Sequence, residues 1–138
     1  MRPSFPTRVA PTLLSILRIV TALLLMQHGL QKLLGWFGGM GPDAGTAMPI
    51  TLPWIAGVIE LVGGALVALG LLTRPVAFLI AGEMAVAYFM AHAPRSFFPI
   101  ENGGEPTVLF CFVFLYLAAA GPGPWSLDAL RDRGRARY

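Results

Sequence analysis

The sequence predicts an all-α protein: a four-helix transmembrane bundle with both termini cytoplasmic. Three observations carry that expectation. The 138 residues are 56% hydrophobic and only 12% charged, about half the charge of an ordinary soluble domain. The apolar residues gather in four runs separated by proline, glycine and polar residues. The basic residues gather at the chain ends, as cytoplasmic flanks do.

The first run spans about Thr12 to Gly35. It is long enough to cross about 30 Å of hydrocarbon with some tilt. It begins after Pro11 and continues past Leu30, too long for the apolar core of a cleaved signal. The second run spans Pro53 to Leu72 and breaks at Thr73-Arg74-Pro75. Proline cannot continue a helix and disfavours helical geometry in the residue before it. The third spans Val76 to Ala93 and stops at Pro94; the fourth spans Pro106 to Ala120 and stops at Gly121-Pro122-Gly123-Pro124. Open sheet edges do not survive in lipid, so the runs must be packed helices. Gly57, Gly63, Gly64 and Gly70 on the second run offer close contacts, as do Ala81, Gly82, Ala85 and Ala87 on the third.

The domain plan is a cytoplasmic tail over residues 1–11, a bundle over 12–121 and a basic tail over 122–138. Between the first two runs the only charged residue is Asp43; between the last two stand Arg95, Glu101 and Glu105. Arg2, Arg8, Arg74, Arg131, Arg133, Arg135 and Arg137 fall on the other side. The positive-inside rule explains both ends at once, so no nucleic-acid surface is inferred. Trp36, Trp54, Phe97, Phe98 and Trp125 lie near run ends, as interfacial aromatics do. Cys111 is the sole cysteine, so no intrachain disulfide can form, and its apolar setting reads as a buried, inert thiol.

The informative residues are the ionisable ones inside the runs, because a charge in lipid costs at least a few kcal/mol. At about 1.5 Å per residue, Arg18 and Glu83 fall roughly 10 Å from the inner surface, and His28 and Glu60 roughly 10 Å from the outer one. Arg18, Thr21, Leu25, His28 and Lys32 form one helical stripe. Glu60 shares a face with Gly57 and Gly64, and Glu83 with Ala87 and Met90. His92 is half a turn out of phase with Glu83, and is expected to meet the outer loop where the helix loosens before Pro94.

The candidate sites follow. Arg18 and Glu83 are expected to form a structural ion pair, such that Arg18→Leu lowers membrane abundance and Arg18→Leu/Glu83→Leu restores it. His28 and Glu60 are the candidate catalytic pair, because histidine titrates near neutral pH and can exchange protons with a carboxylate. Lys32, His92, Asn102 and Glu105 are candidate ligand-binding residues, the last two on the loop Pro99 to Pro106. That loop is otherwise a plain exposed turn, and Glu105 suits the start of the fourth helix. No CxxC, HExxH, P-loop or GxGxxG pattern occurs. No metal site is expected, and nothing in the spacing of His28 and His92 requires haem.

These residues together resemble the DoxX family of small bacterial membrane proteins. The resemblance runs from about Leu13 to Asp128. It rests on Leu17-Arg18, His28-Gly29-Leu30-Gln31-Lys32, Glu60-Leu61-Val62-Gly63-Gly64, Leu71-Leu72-Thr73-Arg74, Gly82-Glu83-Met84 and Asn102-Gly103-Gly104-Glu105. It implies a four-helix protein of the bacterial inner membrane. The family is named after a subunit of an archaeal thiosulfate:quinone oxidoreductase, and other members are linked to thiol and oxidative stress or to quinone detoxification. The expected function is therefore a component of a membrane redox system. It would bind a quinone or similar apolar ring in a slot lined by Phe, Tyr and Met, near His28 and Glu60. A non-enzymatic anchor for a redox or stress-response complex is the alternative. A proton-linked carrier is a second one, though such transporters are usually larger. The expected partners are the lipid bilayer, a redox protein and a second copy of the chain.

Overall fold

The structure, a computed structural model, describes residues 5–43 and 45–135. These residues form helices and turns with one isolated β-bridge, Met40–Gly45. Helix α1 runs from Phe5 to Leu34. Helix α2 covers Leu52–Leu69 with a π-helical turn at Ile59–Gly63, and α3 covers Thr73–His92 with one at Tyr88–His92. Helix α4 is Glu105–Ala120 and α5 is Leu127–Arg135. Helices α1, α2 and α3 are each long and apolar enough to cross a membrane; α4 is apolar but shorter.

Two corrections to the expected plan follow. Helix α1 starts seven residues before Thr12, carrying Pro11 inside it, so part of the presumed tail is helical. The presumed basic tail contains α5. Ser126 caps it: its hydroxyl accepts from the Ala129 amide at 3.1 Å and donates to the Gly123 carbonyl at 2.9 Å.

Helix α1 packs along α2, and α3 along α4; the π-turn of α2 joins the two pairs by packing on α3. Helices α1 and α4 meet over a short stretch only. Glycine sets the α1–α2 approach. A Cβ on Gly29 would lie 2.7 Å from the Leu61 amide nitrogen and 2.8 Å from the Gly57 carbonyl. One on Gly64 would lie 2.6 Å from Cγ of Met26. Such contacts let backbones approach and gain dispersion energy where no hydrophobic effect acts.

The core holds Ala22, Leu25, Val67, Ala77, Ile80, Ala81, Met84, Phe114 and Leu117. Outside stand Leu13, Val20, Leu23, Phe78, Leu79, Phe89, Leu109 and Phe112, all exposed. Inside are Ser15, Arg18 and Glu60, all buried. A molecule that is apolar outside and polar within suits lipid, and an all-round apolar surface of this kind does not suit water.

The end that bears the termini is closed by carbonyl and amide caps. Gly70 adopts a left-handed conformation (φ 69°) and ends α2, with the Leu71 amide bonding back to the Leu66 carbonyl at 2.9 Å. Leu72, at φ 52°, then starts α3 with no cap of its own. Asp128 supplies one from α5, accepting from the Leu72 amide at 3.0 Å and the Thr73 amide at 2.9 Å. At the same end Arg74, in the first turn of α3, caps the C-terminus of α4 by donating to the Ala118 and Ala119 carbonyls.

Candidate functional site

The buried ionisable residues form two groups, and neither is the pair that depth and phase suggest. Arg18 is fully buried but makes no ion pair with Glu83. Its guanidinium donates to the carbonyls of Pro122 (2.7 Å), Val67 (2.5 Å), Ala68 (2.6 Å) and Trp125. Helix α2 ends at Leu69, so the Val67 and Ala68 carbonyls lie in its last turn, where carbonyls run short of helical partners. Arg18 therefore ties α1 to the end of α2 and to the Gly121–Trp125 turn. It remains a brace, with carbonyls as partners in place of the expected carboxylate. Ser15 reinforces the same turn by accepting from the Trp125 amide at 3.2 Å.

The second group is built from three helices. Lys32 on α1 donates to Oε1 of Glu60 on α2 at 2.5 Å. Glu60 is 2% exposed, and its Oε2 has no partner. Glu83 on α3 stands at the level of Glu60, where α3 packs on the α2 π-turn. Both of its carboxyl oxygens are buried without a partner. Three of the four carboxyl oxygens thus lack a hydrogen bond, where buried polar atoms almost always have one. Glu60 sits within the α2 π-turn, a device that recurs where a helix presents a functional side chain.

His28 does not join Glu60. It is exposed on α1, with its ring edge-on to Phe110 of α4 at 6.0 Å between centroids. That contact lies on the seam where α1 and α4 meet. The correction is one of partner: the ammonium one helical turn further on, at Lys32, takes the place at Glu60 that the imidazole was expected to hold.

The loop residues make a separate network. The π-turn at Tyr88–His92 turns His92 toward the loop, as its phase requires. Its Nδ1 lies 3.2 Å from the Asn102 carbonyl, and its Nε2 lies 3.3 Å from the Thr107 hydroxyl. Asn102 is buried and fully engaged. Its amide nitrogen donates to the Ser96 carbonyl (2.6 Å) and the Tyr88 hydroxyl (3.3 Å), and its Oδ1 accepts from the Gly104 amide (2.7 Å). It braces the turn, with both amide hydrogens engaged. Glu105 is exposed in the first turn of α4, where an acid complements the helix dipole.

Sequence reasoning missed three roles. Asp128 and Arg74 act as caps across the chain, a function with no local pattern. Glu83 belongs with Glu60, and one signal could have revealed it. Both stand about ten residues from the Gly70–Thr73 turn, so antiparallel helices bring them to one level. Two hollows are present, and neither is lined by Phe or Met as the expected slot would be. A hollow of about 560 Å³ lies on the lipid-facing side of α1, lined by Leu13, Leu17, Val20 and Tyr116. Another of about 520 Å³ lies between the α3 start and α5. Both are remote from Lys32, Glu60 and Glu83.

Fold and site together define an all-helical membrane protein with a carboxyl-rich cluster inside its bundle. Residues 13–93 match the DoxX family, and the chain belongs to that family. It is 43% identical to an uncharacterised protein of Haemophilus influenzae, over 86% of this chain and 90% of that one. It is 32% identical to "Inner membrane protein YphA" of Escherichia coli (86% and 89% covered). It is 28% identical to "Putative oxidoreductase CatD" of Bacillus subtilis (87% of each). No solved structure matches the chain.

Proposed function

We propose that this protein is a component of an inner-membrane redox system and that it seats a quinone or similar apolar ring beside Lys32, Glu60 and Glu83. The observation that carries the reading is the set of three buried carboxyl oxygens without hydrogen-bond partners. Such oxygens fit a ring that carries hydroxyl donors, and the Lys32 ammonium fits a ring carbonyl. When bound, a quinone would supply reversible electron and proton acceptance. The chain's own groups would orient the ring and hold the proton next to it. The seam between α1 and α4, marked by His28 and Phe110, gives a way in from lipid. The oxidoreductase name of the Bacillus subtilis relative points the same way.

In this reading α4 also crosses the membrane, placing both termini in the cytoplasm. Its sixteen residues span about 24 Å, short of the hydrocarbon thickness, and local thinning of the bilayer would make up the difference. The polar loops and caps at its two ends support a full crossing.

Titration of the purified full chain with a short-chain quinone tests the proposal. Saturable binding should weaken at least tenfold in Glu60→Gln, and His28→Ala should change it less. A chain that stays folded and recruits a partner protein without binding any quinone would instead be an anchor.

A further inference from the structure

We infer that the Glu60 and Glu83 carboxyl groups together hold one exchangeable proton, with Lys32 neutralising the other carboxylate. This deepens the site of the proposed function and rests on that reading for the identity of the ligand. Charge inside the bundle must balance. One ammonium and two carboxylates would leave one uncompensated negative charge inside the bundle. Among the described residues no other cation is paired with the cluster. On α1, His28 is turned to the exposed side, against Phe110. Arg18 is held by four carbonyls near the opposite end of α2. On α3, His92 is engaged by Asn102 and Thr107. On α4 the titratable groups are Glu105 at its start, Tyr116 on its exposed face and Cys111 against the core. None of these supplies a positive charge.

An unpaired carboxylate in such a setting costs several kcal/mol, and a bound proton removes that cost. Glu60 already accepts from Lys32, so the proton belongs to Glu83 in the ligand-free protein. If Lys32 turns to a ring carbonyl, Glu60 loses its cation and becomes the better proton acceptor. The O–H bond on Glu83 then breaks and one forms on Glu60 once the two side chains swing into contact, and Lys32 keeps its own protons throughout. The site thereby offers a proton at the place where the ring would sit.

Infrared spectroscopy of the full chain in lipid nanodiscs at neutral pH tests this inference. The wild type should show the carbonyl stretch of one protonated carboxyl group, shifting in D₂O. Glu83→Gln should abolish it. Glu60→Gln should abolish it too, because Lys32 then pairs with Glu83. Lys32→Met should double it, because both carboxyl groups must then be protonated. The two glutamine variants decide the matter if Lys32→Met fails to fold. Absence of the wild-type band, or its persistence in both glutamine variants, overturns the inference. The expected band pattern in a chain that binds no quinone would uphold the shared proton and remove the redox reading alone.

Discussion

Arg18 shows how a buried charge can be held without a counter-charge. Four carbonyls surround its guanidinium, and hydrogen bonds to a charged group contribute about 1.5–3 kcal/mol each. Arg18→Leu should therefore lower thermal stability in detergent strongly. Adding Glu83→Leu should not restore it, because Glu83 is not the partner. Recovery in the double variant would revive the direct pair that depth alone suggests. Asp128 is the complementary case at the membrane surface. Burial pushes its carboxyl up, but the Thr73 and Leu72 amides outweigh burial and hold it below its ordinary value of 3.8. A depressed value means the cap is fully made above the unfolded value of about 3.9 and is lost as pH falls through the lower folded one. The amide chemical shifts of Leu72 and Thr73 should move below about pH 4 and stay still in Asp128→Asn.

At the scale of elements, glycine decides which helices touch. Gly29→Ala would drive a methyl group into the backbone of α2 at Leu61 and Gly57. Overpacking of this kind costs about 1–3 kcal/mol. Gly82→Ala on α3 meets nothing within 4 Å and should stay within about 0.5 kcal/mol of the parent. Thermal denaturation of the two variants in one detergent checks the contrast. The helices themselves were legible in the sequence because lipid demands long apolar runs and proline or glycine ends them. Their pairing was less so. The loop over residues 35–51 is long enough to uncouple the register of α1 from that of α2, which hid the Lys32–Glu60 contact. The Gly70–Thr73 turn is tight, so the shared level of Glu60 and Glu83 could have been read from their equal distance to it. The π-turns at Ile59–Gly63 and Tyr88–His92 break the ideal helical phase and have no sequence signal. Asp128 was invisible because it caps a helix that begins 55 residues earlier in the chain.

The whole molecule has its polar groups sorted by height. Arg18, Arg74 and Asp128 close the end that carries the termini, while His92 and Asn102 order the loop at the other. Between these ends lies the Lys32–Glu60–Glu83 cluster, the one place among the described residues where several buried carboxyl oxygens go unbonded. Docking of α5 on the Gly70–Thr73 turn requires both to lie on one side. In a Cys111→Ser background, Asp43→Cys should react with an impermeant maleimide from outside intact cells, and Arg133→Cys should not. Reversed labelling would place the termini outside the cytoplasm, and equal labelling would leave α4 short of a full crossing. Carbon-13 signals from the glutamate carboxyl groups test most directly whether the buried cluster is the ligand site. The chain has four glutamates: Glu60, Glu83, Glu101 and Glu105. In the ligand-free protein Glu83 should report a protonated carboxyl and Glu60 an ionised one. A short-chain quinone should move both and leave Glu101 and Glu105 unchanged. Ionised signals at both buried positions, unmoved at saturating quinone, would contradict the account.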